Sequence, residues 1–156
     1  MSRELFMQRA VSLSKQGMEG GRGGPFGAVV VRDGRVIGEG ENRVTSTNDP
    51  TAHAEMVAIR AACAAEGRFD LKGCDIYTSC EPCPMCLSAI YWARLDTIYY
   101  ANRRADAAQI GFDDALIYEE VAQPASSRRL PMVRLAVPGA REVFDAWAHK
   151  ADRVPY

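Results

Sequence analysis

No stretch of the 156-residue sequence approaches the roughly 20 consecutive apolar residues that a membrane-spanning helix needs. Residues 1–7 carry no basic region leading into an apolar run, so no secretory signal is expected. Positive charge is not in excess: 19 Lys and Arg stand against 20 Asp and Glu, for a formal net charge of -1. A nucleic-acid partner, which calls for clustered cations to neutralise phosphates, is therefore not expected. The pairs Arg103-Arg104 and Arg128-Arg129 are short and far apart, and read as solvated surface. Repeats, linkers and low-complexity segments are missing. Histidine is scarce, with only His53 and His149. The five cysteines make an odd number, and three of them crowd between Cys80 and Cys86. That pattern suits a reducing cytoplasm and a metal better than a disulfide framework.

What is present is ordinary for a globular protein: 47% hydrophobic and 25% charged residues. The length is most simply one domain, 1–156, able to bury roughly 70% of its unfolded surface. Leu5, Phe6, Ala10, Leu13 and Gly17 fit an amphipathic first helix. Residues 27–31 and 36–41 read as strands joined at Asp33-Gly34, a pair that tolerates positive φ. A polar loop is expected over 45–50, a helix over 52–66, a strand over 75–79, a helix over 84–93 and a strand over 97–101. A short helix over 113–120, an edge strand over 131–137 and a last helix over 141–150 complete the reading. Strands alternating with helices predict an α/β layered sheet.

The chemistry concentrates in His53-Ala54-Glu55 and Pro82-Cys83-Pro84-Met85-Cys86. One imidazole and two thiolates are donors that suit zinc, and three protein ligands leave a fourth position for water, as in catalytic zinc sites. Pro84 suits a first helical position, which makes Cys83 the cap and puts Cys86 in the first turn. A helix N-terminus carries partial positive charge and favours thiolate. Glu55 is the candidate for moving protons at the water. Residues two apart do not share a face of a regular helix. His53 and Glu55 can act together only if the helix begins at about Ala52 and both side chains bend over its open end. A redox pair of Cys80 and Cys83 is the alternative, but it leaves His53 and Glu55 unexplained. Cys63 reads as core, Cys80 as a strand-end residue lining the site, and His149 as surface.

The H-x-E and P-C-x-x-C segments together form a signature of zinc-dependent nucleobase deaminases. Nearly the whole chain resembles the cytidine deaminase-like superfamily, and more closely its small bacterial guanine deaminases. The resemblance is carried by Gly23-Gly24-Pro25-Phe26-Gly27-Ala28, Glu39-Gly40-Glu41-Asn42, Asn48-Asp49-Pro50-Thr51-Ala52-His53-Ala54-Glu55, residues 77–86 running into Ala89-Ile90-Tyr91-Trp92-Ala93-Arg94, Gly111-Phe112-Asp113-Asp114 and the terminal Tyr156. It implies a three-layer α-β-α fold around a mixed five-stranded sheet, with zinc held by His53, Cys83 and Cys86. It implies that Asn42 and Ala54 meet the purine, that Asp114 reads or assists at its polar edge, and that Phe26 and Trp92 wall the pocket. It also implies a homodimer in which the C-terminal segment, about 140–156, crosses to the neighbouring subunit, where Tyr156 closes the site. Without the surrounding motif, Phe26 and Trp92 would read as core packing, Asp114 as a helix cap and Asn42 as a turn former.

The expected reaction is the hydrolytic deamination of guanine to xanthine and ammonia. Zinc would lower the pKa of water toward roughly 7. Glu55 would take that proton to the ring nitrogen beside the reacting carbon, and then to the leaving amine. Rival readings are a deaminase of cytosine, guanosine or a triazine, a tRNA adenosine deaminase, and a zinc-stabilised binding module without activity.

Overall fold

Alternate residues of one short strand face two different helical layers, and that alternation organises the first part of the chain. The computed structural model describes residues 2–156. They divide into two compact units, one ending at Ala115 and the other Leu116–Tyr156. In the first unit, β1 (Gly27–Arg32) turns through Asp33 and Gly34, with φ of 49° and 74°, into β2 (Arg35–Glu41). β1 pairs antiparallel with β2 on one side and with β3 (Cys74–Cys80) on the other. β3 pairs parallel with β4 (Thr97–Asn102), giving the order β2-β1-β3-β4.

Ala28 and Val30 of β1 join Ile76 in a core with Ala54, Ala58 and Ala62 of helix α3 (Ala54–Glu66) and Ile90 of helix α4 (Pro84–Trp92). Val29 and Val31 belong to a second core with Tyr77 and with Phe6 and Leu13 of helix α1 (Arg3–Glu19). Side chains alternate across a strand, so α1 covers one face of the sheet while α3 and α4 cover the other. The three-layer α-β-α fold is thus present.

The helices seat on the sheet by backbone approach. A Cβ on Gly40 would collide with the Ala54 carbonyl oxygen, and one on Gly27 with the Ala10 carbonyl oxygen. Arg9 of α1 also grips Glu39 of β2 through two hydrogen bonds of 2.7 and 2.6 Å. Glycine at position 40 therefore sets where the start of α3 lies.

Three expectations change. The sheet has four strands among the described residues, not five, because residues 131–137 form no ladder. That segment lies between Pro131 and Pro138, and Val133 and Leu135 are 85% and 84% exposed. A strand needs a partner for its backbone groups, and the second unit holds no strand to supply one. The helix expected from Ala52 starts at Ala54 instead. The polar loop at 45–50 overlaps a one-turn helix, α2 (Val44–Thr47), closed by Asn48 at φ 51°. A further short helix, α5 (Arg104–Gln109), went unforeseen. The second unit holds most of α6 (Ala115–Ala122) and all of α7 (Ala140–His149). No helix among the described residues is long and apolar enough to cross a membrane.

Gly40→Ala tests the seating of α3. Overpacking of this kind costs about 1–3 kcal/mol. We expect a lower melting temperature together with a lower zinc content, because the added methyl pushes on the turn that carries His53. A variant that melts and binds zinc like the parent would show that α3 is not seated on β2.

Candidate metal centre and substrate pocket

Two helices begin at the same place. His53 is the cap of α3, in extended conformation at φ -66° and ψ 156°, and Cys83 is the cap of α4 at φ -68° and ψ 169°. The His53 carbonyl accepts from Val57 N at 3.0 Å, and the Cys83 carbonyl from Leu87 N at 2.8 Å. Neither side chain caps its own helix, so both ligand atoms are left for something else. They find each other and Cys86 in the first turn of α4. His53 Nδ1 lies 3.5 Å from Cys83 Sγ and 3.5 Å from Cys86 Sγ.

The ligand atoms of His53, Cys83 and Cys86 all lie within 4.8 Å of one another. Around a tetrahedral zinc, with bonds of about 2.3 Å to sulfur and about 2.0–2.1 Å to nitrogen, neighbouring ligand atoms stand roughly 3.5–3.8 Å apart. The observed spacing fits that arrangement, and the donor set of one imidazole and two thiols is one that zinc takes. The later start of α3 resolves the two-residue problem: His53 stands outside the helix as its cap and Glu55 inside its first turn.

The electrostatics agree. A hydrogen bond from Cys86, helped by His53, holds the Cys83 thiol down at about 4. The Cys86 thiol is pushed up by sharing its proton with that thiolate and by burial. His53 is raised, first by its bond to Cys83. Cys83 is thus held toward the thiolate, while Cys86 and His53 hold their protons more tightly than usual. Glu55 is 6% exposed, and burial raises its carboxyl above the usual range. Its Oε2 lies 3.4 Å from Cys86 Sγ and its Oε1 3.4 Å from Thr78 Oγ1.

Cys80 stays out of the cluster. It ends β3, is buried, and its thiol meets the Arg103 carbonyl at 3.8 Å. Burial pushes that thiol to about 11, the opposite of a reactive redox cysteine. All five cysteines are free.

The other candidates separate into groups. Asn42, 6% exposed, follows β2. Its Oδ1 accepts from Val44 N at 3.1 Å and Gly24 N at 3.3 Å, which fixes the amide oxygen against the backbone. Phe26 meets Phe112 edge-on at 4.9 Å. Ala54 is fully buried at the first position of α3. Asp114 accepts from Arg104 Nε at 3.1 Å.

Trp92 stands apart from the ligand cluster. It ends α4, roughly 13 Å along the helix from the Cys83 cap at about 1.5 Å per residue. It is 62% exposed, with the Arg94 guanidinium 5.7 Å from its ring. It therefore does not wall the metal end of its own chain. Tyr156 lies in the second unit, 78% exposed. Phe112, Thr78 and Arg104 were not singled out as site residues. Arg104, read as solvated surface, is ion-paired. Phe112 and Thr78 both lie within segments that carry the family resemblance, whereas Arg104 lies outside them and carries no chemical signature of its own.

The family of the cytidine and deoxycytidylate deaminase zinc-binding region matches residues 1–102, which contain the whole ligand cluster. The chain belongs to that family. Zinc binding is accordingly a property of this deaminase domain. The chain is 51% identical to the guanine deaminase of Bacillus subtilis over 156 residues, covering 100% of both. A crystal structure of that enzyme superposes with a TM-score of 0.97, covering 100% of this chain and 99% of the other. A guanine deaminase structure from Nitrosomonas europaea gives a TM-score of 0.70 at 33% identity, over 73% of this chain and 66% of that one. A tRNA-specific adenosine deaminase of Agrobacterium fabrum is 53% identical, but over 76 residues, 49% of this chain and 50% of its own length.

Cys83→Ala is expected to lose most of the bound zinc in elemental analysis, whereas Cys80→Ala keeps it. The reverse result would move the ligand role to Cys80. Because Cys86 and His53 hold their protons more tightly than usual in the metal-free protein, zinc affinity weakens as pH falls. Competition with a chelator at two pH values reads that direction.

Proposed function

We propose that this chain hydrolyses guanine to xanthine and ammonia with zinc held by His53, Cys83 and Cys86. The observation that carries the reading is the extent of the likeness. It spans 100% of both chains for the guanine deaminase and half of each for the tRNA deaminase. The net charge of -1 also gives an anticodon stem little to bind.

Bound zinc supplies a strong Lewis acid that makes water acidic near neutral pH. The rest falls to the chain. Glu55 takes a proton from the attacking water as oxygen bonds to C2, and delivers it to the adjacent ring nitrogen. Its burial raises the carboxyl above the ordinary value, which favours its holding a proton in transit. Glu55 then takes the second proton, from the hydroxyl now on C2, and passes it to the exocyclic amine; the bond from C2 to that amine breaks, C2 becomes the carbonyl carbon of xanthine and ammonia leaves. Asn42 donates its NH₂ to an acceptor on the purine, and Phe26 offers an aromatic wall steadied by Phe112. Asp114 faces the polar edge of the base.

The second unit supports a homodimer as part of this reading. Leu130, Val133, Leu135 and Phe144 are 77%, 85%, 84% and 75% exposed. Large apolar side chains left this exposed suit an interface, and a second copy is the partner we assign. The segment 140–156 then closes the neighbouring pocket with Tyr156, and Trp92 walls a pocket other than its own. Five free cysteines suit a cytoplasmic location.

Ammonia release is to be measured across guanine, guanosine, adenine, cytosine and cytidine, with guanine expected to dominate. A strong preference for any other base would overturn the assignment. General acid–base groups are worth about 10²–10⁴-fold, so Glu55→Gln should lose at least about 100-fold in kcat with zinc retained. Near-parental turnover would remove Glu55 from the chemistry. Deleting Tyr156 should weaken activity without releasing zinc, and light scattering should give twice the 17.1 kDa chain mass. Unchanged kinetics would show that the tail closes nothing, and a monomer would overturn the dimer.

A further inference from the structure

Asp114 does not stand by itself. Its side chain is 18% exposed, and its Oδ1 accepts from Arg104 Nε at 3.1 Å. Arg104 opens α5, and its backbone N–H donates to Glu81 Oε2 at 3.1 Å. Glu81 is two residues before Cys83, and its own N–H donates to the Asn102 carbonyl at the end of β4 at 2.8 Å. A run of polar contacts thus leads from the cysteine loop, through Glu81 and Arg104, to the Asp114 carboxylate. The segment carrying Asp114 follows Gly111 at φ 97° and lies outside any helix or strand. It is anchored on one side by the Phe112 ring against Phe26, and on the other by the Arg104 ion pair.

We propose that Arg104 is a positioning residue that aims Asp114 at the base and ties it to the Cys83 loop. This rests on the reading of Asp114 as a group at the purine's polar edge. A carboxylate on irregular backbone has rotamers to choose among, and a mostly buried charge needs a partner. The planar guanidinium supplies a fixed direction that a flexible ammonium does not. With Arg104 anchored through its own backbone to Glu81, the direction is set relative to the cysteine loop. A shift of Arg104 moves Asp114 without touching the ligands.

The test is a double-mutant cycle on guanine turnover with Arg104→Met, Asp114→Asn and the pair, plus Arg104→Lys as the conservative variant. Zinc content and melting temperature are measured throughout. Hydrogen exchange over residues 110–116 is followed in parallel. Coupling between contacting residues makes an about tenfold loss in kcat/KM the expected effect of Arg104→Met in the parent. In the Asp114→Asn background the same change should cost less than about twofold. Zinc content should stay at parental level, exchange over 110–116 should rise, and Arg104→Lys should recover part of the loss. Equal losses in both backgrounds, loss of zinc, or exchange unchanged in Arg104→Met would overturn the proposal. The exchange readout needs no substrate. A parent that leaves guanine untouched while exchange rises in Arg104→Met would sink the guanine reading and leave the positioning intact.

Discussion

The structure depends on two helices starting at one point. His53 and Cys83 are both caps, and neither side chain serves its own helix. Each helix end brings backbone N–H groups and partial positive charge to bear on the same small volume. The hydrogen bond from Cys86 lowers the Cys83 thiol first, and the positive helix ends suit an anionic ligand set. The spacing of 3.5 Å from the imidazole to each sulfur follows from where the helices begin. A start shifted by one residue on either helix would turn its ligand by about 100° around the axis and break the group.

The sheet makes that convergence possible. β2, β3 and β4 all end, and β1 begins, at one edge of the sheet, as the pairings Gly27–Glu41, Ala28–Thr78 and Cys80–Asn102 show. Phe26 precedes β1, Asn42 follows β2, Cys83 follows β3, and Arg104 follows β4. Residues scattered over some 80 positions of the sequence thereby reach one end of the sheet. Glycine at position 40 lets the Ala54 end of α3 come close to the sheet, and Glu55 beside it is 6% exposed. Burial is what raises the Glu55 carboxyl above its ordinary value. The packing of a strand and the acidity of the Glu55 carboxyl are one problem.

Much of this was legible in the sequence because zinc chemistry leaves a compact signature. His53, Glu55, Cys83 and Cys86 are set by donor type and by proline at a helix start, which are local facts. The alternating strands 27–31 and 36–41 were legible because Asp33-Gly34 fixes a tight turn. The strand expected at 131–137 failed because alternation alone cannot supply a pairing partner. Arg104 was misread because an arginine on the surface and one held against a carboxylate look alike in sequence. Trp92 was placed by resemblance, and helix length puts it away from its own metal end. Thr78 touches Glu55 through tertiary contact alone, which no spacing rule reports.

The most direct measurement is X-ray absorption at the zinc edge of the holoprotein. The account predicts two sulfurs at about 2.3 Å and light atoms, one of them imidazole nitrogen, at about 2.0–2.1 Å. A third sulfur would bring Cys80 into the centre and fill the position reserved for water. A shell without sulfur would remove the centre altogether.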